Sequence, residues 1–217
     1  MAEYYPIPTL AESRALYAQI RSWAAIRGDV SIVGGWPVYE LVQHDYRMQS
    51  RDTDIVLQSP ASLTDLLAHL PAWGLELRRK GRRVFPDCTL KGKREIVLDI
   101  LTDGTFDATD IFGRSPILVK AVPKGTLIPS LAWMVADKVA TIPERVRDAV
   151  DKRTKDFLDL YGLVFRNLTR VHPRDLLRAA PAAARDRAAT FLPASSAWQP
   201  KYGSELDAIG QWLQAEG

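Results

Sequence analysis

Two periods of apolar spacing run along this chain, and the change from one to the other divides it. From Leu10 to Ile26, the residues Ala11, Leu16, Ile20, Trp23 and Ile26 recur at roughly helical intervals, with Arg14, Arg21 and Arg27 among the polar positions. That interval predicts an amphipathic helix, stopped by Gly28-Asp29. Val30 to Val33 predicts a short strand. Gly34-Gly35 then turns the chain into a helix beginning near Trp36-Pro37, since proline is tolerated at the first helical position. In Asp52-Thr53-Asp54-Ile55-Val56-Leu57 the period becomes two, so Asp52 and Asp54 share one strand face and Thr53, Ile55 and Leu57 the other.

Ser59-Pro60-Ala61-Ser62 signals the start of a helix running from Ser62 to Leu70. Leu75 to Arg79, Arg82 to Phe85 and Thr89 to Lys91 predict three short strands, with turns at Lys80-Gly81 and Pro86-Asp87. Asp99 stands among Ile96, Val97, Leu98, Ile100 and Leu101, which predicts an inner strand. Thr102 to Gly113 reads as a polar loop whose Asp103, Asp107 and Asp110 are turn formers. Ile117 to Val122 predicts one more strand, and Pro123 to Pro129 a link. Beyond it the helical period returns: Ser130 to Ile142 up to Pro143, then Asp151 to Phe165, a segment opening at His172-Pro173, and Ser204 to Gln214. The expected fold class is α+β, a mixed β-sheet flanked by helices over residues 1–125, followed by a C-terminal helical bundle over residues 126–217.

Composition narrows the picture. The chain has 217 residues, 47% of them apolar, enough for one sizeable core or two small domains. Its 29 basic and 26 acidic residues leave a formal charge of +3, which permits a nucleic-acid partner without demanding one. The single cysteine, Cys88, excludes an internal disulfide framework and a cysteine-rich zinc site. His44, His69 and His172 have no metal-like spacing. No signal peptide and no membrane-length apolar run is read, so a cytoplasmic protein with no membrane partner is expected.

The candidate chemistry lies in the acids. A carboxylate set among residues as apolar as those around Asp99 is costly unless something positive neutralises it. Asp52, Asp54 and Asp99 converging from neighbouring strands are explained by a divalent metal, and hard oxygen ligands suit Mg²⁺, with Mn²⁺ as the alternative. Gly34 and Gly35 at a strand-to-helix turn either bring backbone N–H groups close to a phosphate or make a plain tight turn. The Ser50 hydroxyl either holds a phosphate oxygen or bonds its own backbone. Arg51 and Arg47 either face a triphosphate or are solvated charges. Arg78, Arg79, Lys80, Arg82, Arg83, Lys91, Lys93 and Arg94 make either a basic shelf for RNA or triphosphate or a charged β-edge that resists aggregation.

The order Gly34-Gly35, then Asp52 and Asp54, then Asp99 resembles the nucleotidyltransferase superfamily related to DNA polymerase β. The wording Gly-Gly-Trp-Pro-Val-Tyr and Ser-Arg-Asp-Thr-Asp-Ile-Val-Leu is similar to AbiEii-type and related minimal nucleotidyltransferases. Thr53 departs from the usual large apolar residue between the acids, and the gap from Gly35 to Asp52 is longer than common. Ala136-Asp137-Lys138-Val139-Ala140 and Lys152 to Leu160 resemble a second AbiEii-type signature. The resemblance implies that Lys138 contacts nucleotide phosphates and that Asp156 orients it or the nucleotide, with Asp159 as a second candidate; the other reading is an inter-helix salt bridge. It implies Asp52, Asp54, Asp99, Lys138 and Asp156 as catalytic residues, and Gly34, Gly35, Ser50, Arg51 and Lys138 as nucleotide-binding ones. The activity implied is Mg²⁺-dependent transfer of NMP from an NTP such as ATP to an acceptor hydroxyl, with release of pyrophosphate. The acceptor implied is RNA or tRNA, and the partner a cognate antitoxin of a toxin-antitoxin system. A small hydroxylated acceptor such as an aminoglycoside, and a silent nucleotide-binding module, are the competing readings.

Overall fold

The computed structural model describes residues 10–42, 50–113 and 118–144, together with Asp159 and Leu163. The chain divides into two compact units: Met1–Pro37 with Gln49–Pro129, and Val38–Met48 with Ser130–Gly217.

The first unit is built on a five-stranded mixed sheet. Its strands are β1 (Val30–Val33), β2 (Thr53–Leu57), β3 (Leu75–Lys80), β4 (Arg83–Leu90) and β5 (Lys93–Thr102), in the order β1-β2-β5-β4-β3. Only β2 and β5 run parallel; the other neighbours are antiparallel. The parallel pair requires a crossover, which is supplied by α3 (Pro60–His69) and the β3–β4 ribbon. The apolar positions of the inner strands fill the core: Ile32, Ile55, Leu57, Ile96, Leu98 and Ile100 are all buried.

α1 (Leu10–Ala25) packs on β1, and its buried stripe is Leu16, Tyr17, Ile20, Trp23 and Ala24. Ile26 falls outside both the helix and the core and is exposed. Ser59 caps α3 by accepting from the Ser62 N–H at 3.0 Å, so the helix begins at Pro60, two residues before the sequence places it. α1 and α3 are tied together where the Trp23 indole N–H donates to Asp65 at 2.7 Å. After Gly34 the chain enters α2 (Gly35–Leu41), whose Trp36 is buried and stacked on Tyr17 with ring centroids 4.5 Å apart.

Three expectations are corrected. Pro86-Asp87 is not a turn: β4 runs through it as one strand. The pairing of β3 with β4 shifts between Leu77 and Arg79, so β4 carries extra residues there, and a bulge tolerates the missing proline N–H. Of the strand expected over Ile117 to Val122, Ile117 lies outside the described residues, and Leu118 to Val122 is no full strand: Val119 makes an isolated bridge to Thr102. The loop after β5 contains a short helix, α4 (Thr109–Phe112), which anchors the buried Phe112. Asp103 and Asp107 do form turns, accepting from the Thr105 and Thr109 N–H groups at 2.9 and 2.8 Å. The chain after α4 returns along β1, where the Ile32 N–H donates to the Leu127 carbonyl at 2.8 Å.

In the second unit, α5 (Leu131–Glu144) buries Ala132, Trp133, Met134, Val135 and Lys138. It ends one residue beyond Pro143, in place of stopping before it. The helices expected from Asp151 onward lie outside the described residues, apart from Asp159 and Leu163, both helical and buried. Among the described residues no helix is long and apolar enough to cross a membrane.

Candidate active site

The site is assembled by strand register. Asp54 on β2 is the direct partner of Asp99 on β5, and Asp99 is in turn the partner of Asp87 on β4. Directly paired residues share a face, so these three carboxylates form a row across three neighbouring strands. Neighbouring strands lie about 4.8 Å apart, which puts successive carboxylates within reach of one another. The other face carries Thr53, Leu98 and Cys88, each buried. Asp54, Asp99 and Asp87 are half-buried, as is Asp52 two residues before Asp54. Of this row the sequence singles out Asp54 and Asp99, with Asp52 beside them, but not Asp87, because Pro86-Asp87 carries the signature of a turn. The period-two spacing of Phe85, Asp87 and Thr89 is the signal that could have found it.

Gly34 explains the di-glycine bend. Its φ is +78°, and a Cβ built on it would lie 1.9 Å from Asp54 Oδ2. The Asp54 carboxylate therefore rests against the glycine backbone, in space that any other residue would fill. Val33, just before the bend, pairs with Asp54, so bend and acid are set by the same antiparallel register.

The approach to the acid pair is fixed from α1. Buried Ser13 donates its hydroxyl to the Arg51 carbonyl at 3.2 Å, clamping the backbone just ahead of Asp52. Ser13 carries no motif, and only the packing of α1 assigns it this place. Ser50 is buried and Arg51 half-buried. Thr53 is buried, and among the described residues its hydroxyl finds no hydrogen-bond partner.

Asp87 is held by Arg78. The Arg78 Nε–H donates to Asp87 Oδ1 at 2.8 Å, and a terminal nitrogen lies 2.5 Å from Oδ2, a two-point fork. The hydrogen bond to Asp87 raises the Arg78 pKa against the opposing effect of burial, and the charges of Asp87 and Asp99 add to the rise. Burial first, and then the charges of Asp87 and Asp99, push the Cys88 thiol up to about 12. The acid row therefore makes a negative field felt on both sides of the sheet.

The donor set suits a hard cation. Among the described residues no three Asp, Glu, His or Cys side chains gather closely enough to hold a metal by themselves. Mg²⁺ does not ask for that: it is commonly bound by one or two carboxylates and completed by water and substrate phosphates. Paired Asp54 and Asp99, with Asp52 beside them in sequence, fit this mode.

Lys138 belongs to the second unit, where it is buried and donates to Asp159 at 2.7 Å. Asp159 is thus the described acid of that helix that meets Lys138, while Asp156 lies outside the described residues.

No protein-family model and no curated protein matches this chain. Solved structures similar to it include an antigenic nucleotidyltransferase-like protein from Paracoccidioides brasiliensis, at 14% identity over 91% of this chain and 92% of that one, with a TM-score of 0.49. Another is the antibiotic-resistance factor ANT(2'')-Ia, at 13% identity over 90% of this chain and 99% of that one, also with a TM-score of 0.49.

Proposed function

We propose that this chain is a Mg²⁺-dependent nucleotidyltransferase that moves NMP from an NTP to a hydroxyl of an RNA acceptor. The observation carrying the reading is the direct pairing of Asp54 with Asp99 on adjacent parallel strands, with the Gly34 bend against the Asp54 carboxylate. Asp54 and Asp99 would hold the metal, with Asp52 beside them and water and the triphosphate completing its shell. A bound Mg²⁺ supplies Lewis-acid stabilisation of charge on the phosphate oxygens and lowers the pKa of the acceptor hydroxyl. The acceptor oxygen forms the new bond to the α-phosphorus, the bond to the bridging oxygen breaks, and pyrophosphate leaves. Asp99 orients the hydroxyl and takes its proton on a carboxylate oxygen. The chain otherwise contributes positioning, which the rigid register of β2 and β5 provides.

An RNA acceptor is preferred over a cationic aminoglycoside because the cations of the ribbon beside the acid row repel a polyamine and attract phosphate. The resemblance to AbiEii-type enzymes extends this reading to a toxin restrained by an antitoxin, for which growth arrest on induction is the expected outcome. The test of the activity is incubation with each α-labelled NTP, Mg²⁺ and total cellular RNA. Labelled RNA is expected, and Asp54→Asn and Asp99→Asn should each lower the rate by at least ~100-fold, the upper end for losing an outer partner of a metal site. Labelling that persists in either variant, or transfer to aminoglycosides alone, would overturn it.

A further inference from the structure

The eight cations between Arg78 and Arg94 are not equivalent. Arg78 is forked to Asp87, Lys91 lies 3.3 Å from Glu76, and Lys93 lies 3.4 Å from Glu12. Among the described residues no carboxylate pairs with Arg79, Lys80 or Arg82. Apart from Arg94, exposed on β5, the charge without a paired carboxylate is therefore concentrated at one end of the β3–β4 ribbon. Lys80 pairs with Arg83 there across the two-residue loop Gly81-Arg82, with Gly81 at a φ of +61°. Arg79, Lys80, Arg82 and Arg83 are all exposed, and no acid occurs between Glu76 and Asp87.

Protection of a free sheet edge accounts for only part of this. β3 is the edge strand, and Arg79 and Lys80 on it would blunt an edge. Arg82 lies in the loop between the two strands, so it guards no strand edge.

We propose that the ribbon tip formed by Arg79, Lys80, Arg82 and Arg83 is the surface on which the phosphodiester backbone of a nucleic-acid acceptor lies. Two features select nucleic acid over other polyanions. First, the tip is joined to the acid row through one continuous strand. Asp87 and Arg83 are four residues apart on β4, at most about 13 Å at roughly 3.3 Å per residue, since the bulge shortens the path. An acceptor with its reacting end at the acids would carry its next phosphates towards the tip. Second, the path between is lined for stacking. The Phe85 ring has Arg78 4.3 Å and Arg83 4.7 Å from its centroid, and guanidinium planes presented on an aromatic ring are platforms for unstacked bases. A membrane surface is disfavoured because Arg79 to Arg83 contains no apolar residue to insert. The proposal rests on the nucleotidyl-transfer reading only in naming the bound nucleic acid an acceptor.

Binding is measured without turnover, in EDTA and without NTP, as the anisotropy of a labelled single-stranded RNA over a series of salt concentrations. The triple variant Arg79→Gln/Lys80→Gln/Arg82→Gln is expected to weaken binding at least about tenfold at low salt. It should also make the slope of log K against log salt shallower by about 2, three contacts at ~0.7 each. Lys91→Gln, whose charge is already paired with Glu76, should change neither. An unchanged affinity and slope in the triple variant, or no RNA binding by the wild type, overturns the proposal. So does equal tip-dependent binding of phosphatidylserine vesicles or polyglutamate, which would make the tip a membrane or acidic-protein site. Tip-dependent RNA binding by a protein that labels no RNA would sink the transfer reading and leave this surface standing.

Discussion

Gly34 and Asp54 show how little room the site leaves. A methyl group at Gly34 meets the Asp54 carboxylate at less than van der Waals distance, on a backbone already in the left-handed region. Gly34→Ala is expected to cost about 1–2 kcal/mol through the backbone alone, read as a lower urea midpoint. Its larger effect should be on turnover, because Asp54 must move to admit the methyl. A variant with wild-type activity would show that the carboxylate position is not critical. The di-glycine was legible as a turn from its chemistry, but the reason for the first glycine was not. It depends on a carboxylate twenty residues away, which only the β1–β2 register brings there. Ser13 is the opposite case: an ordinary helix serine becomes a positioning residue through one hydrogen bond to Arg51.

Asp65 on α3 is met by Trp23, Arg27 and His69, at 2.7, 2.5 and 3.2 Å. The Trp23 hydrogen bond is the largest influence, opposed by burial and helped by the Arg27 and His69 charges, and the carboxyl is held below its ordinary 3.8. A depressed carboxylate binds its proton later in the folded chain than in the unfolded one, so its stabilisation is whole above the ordinary value. It fades as pH falls through the lower folded value. Urea midpoints of the wild type and Asp65→Asn are therefore expected to differ at neutral pH and to converge in acid. A gap that is constant with pH would contradict the assignment. In α5, Lys138 and Asp159 form a buried pair. Lys138→Met takes the buried cation away from the Asp159 carboxylate, with an expected loss of about 3–5 kcal/mol, while Lys138→Met/Asp159→Leu should lose much less. Equal losses in urea unfolding would show that the pair is not coupled.

The division into two units follows neither the order of the chain nor a single cut. Val38–Met48 belongs with Ser130–Gly217, although it lies between two segments of the sheet-bearing unit. A fragment ending at Pro129 keeps every described strand but separates Val38–Met48, including buried Val38 and Val42, from the rest of its unit. That fragment is expected to unfold at a lower temperature than the full chain and to aggregate, as seen by thermal scanning with light scattering. A fragment as stable as the full chain would show that the segment does not need its unit.

Local pattern was enough for α1, β1, β2, α3 and β5, because each buries one face at its own period, and that period is written in neighbouring residues. It was enough also to place Asp54 on β2, although β2 begins at Thr53 and leaves Asp52 just ahead of it. It failed at Pro86-Asp87, where local turn chemistry was overridden by the pairing of Asp87 with β5 and of the flanking Val84 and Cys88 with β3, and so the fourth carboxylate went unseen. It could not tell paired from unpaired cations in the ribbon, since Glu76, Asp87 and Glu12 reach their partners only across strands or from α1. Which carboxylates stand side by side, and where positive charge is left over, are questions of register, and register is fixed by contacts between segments distant in the chain.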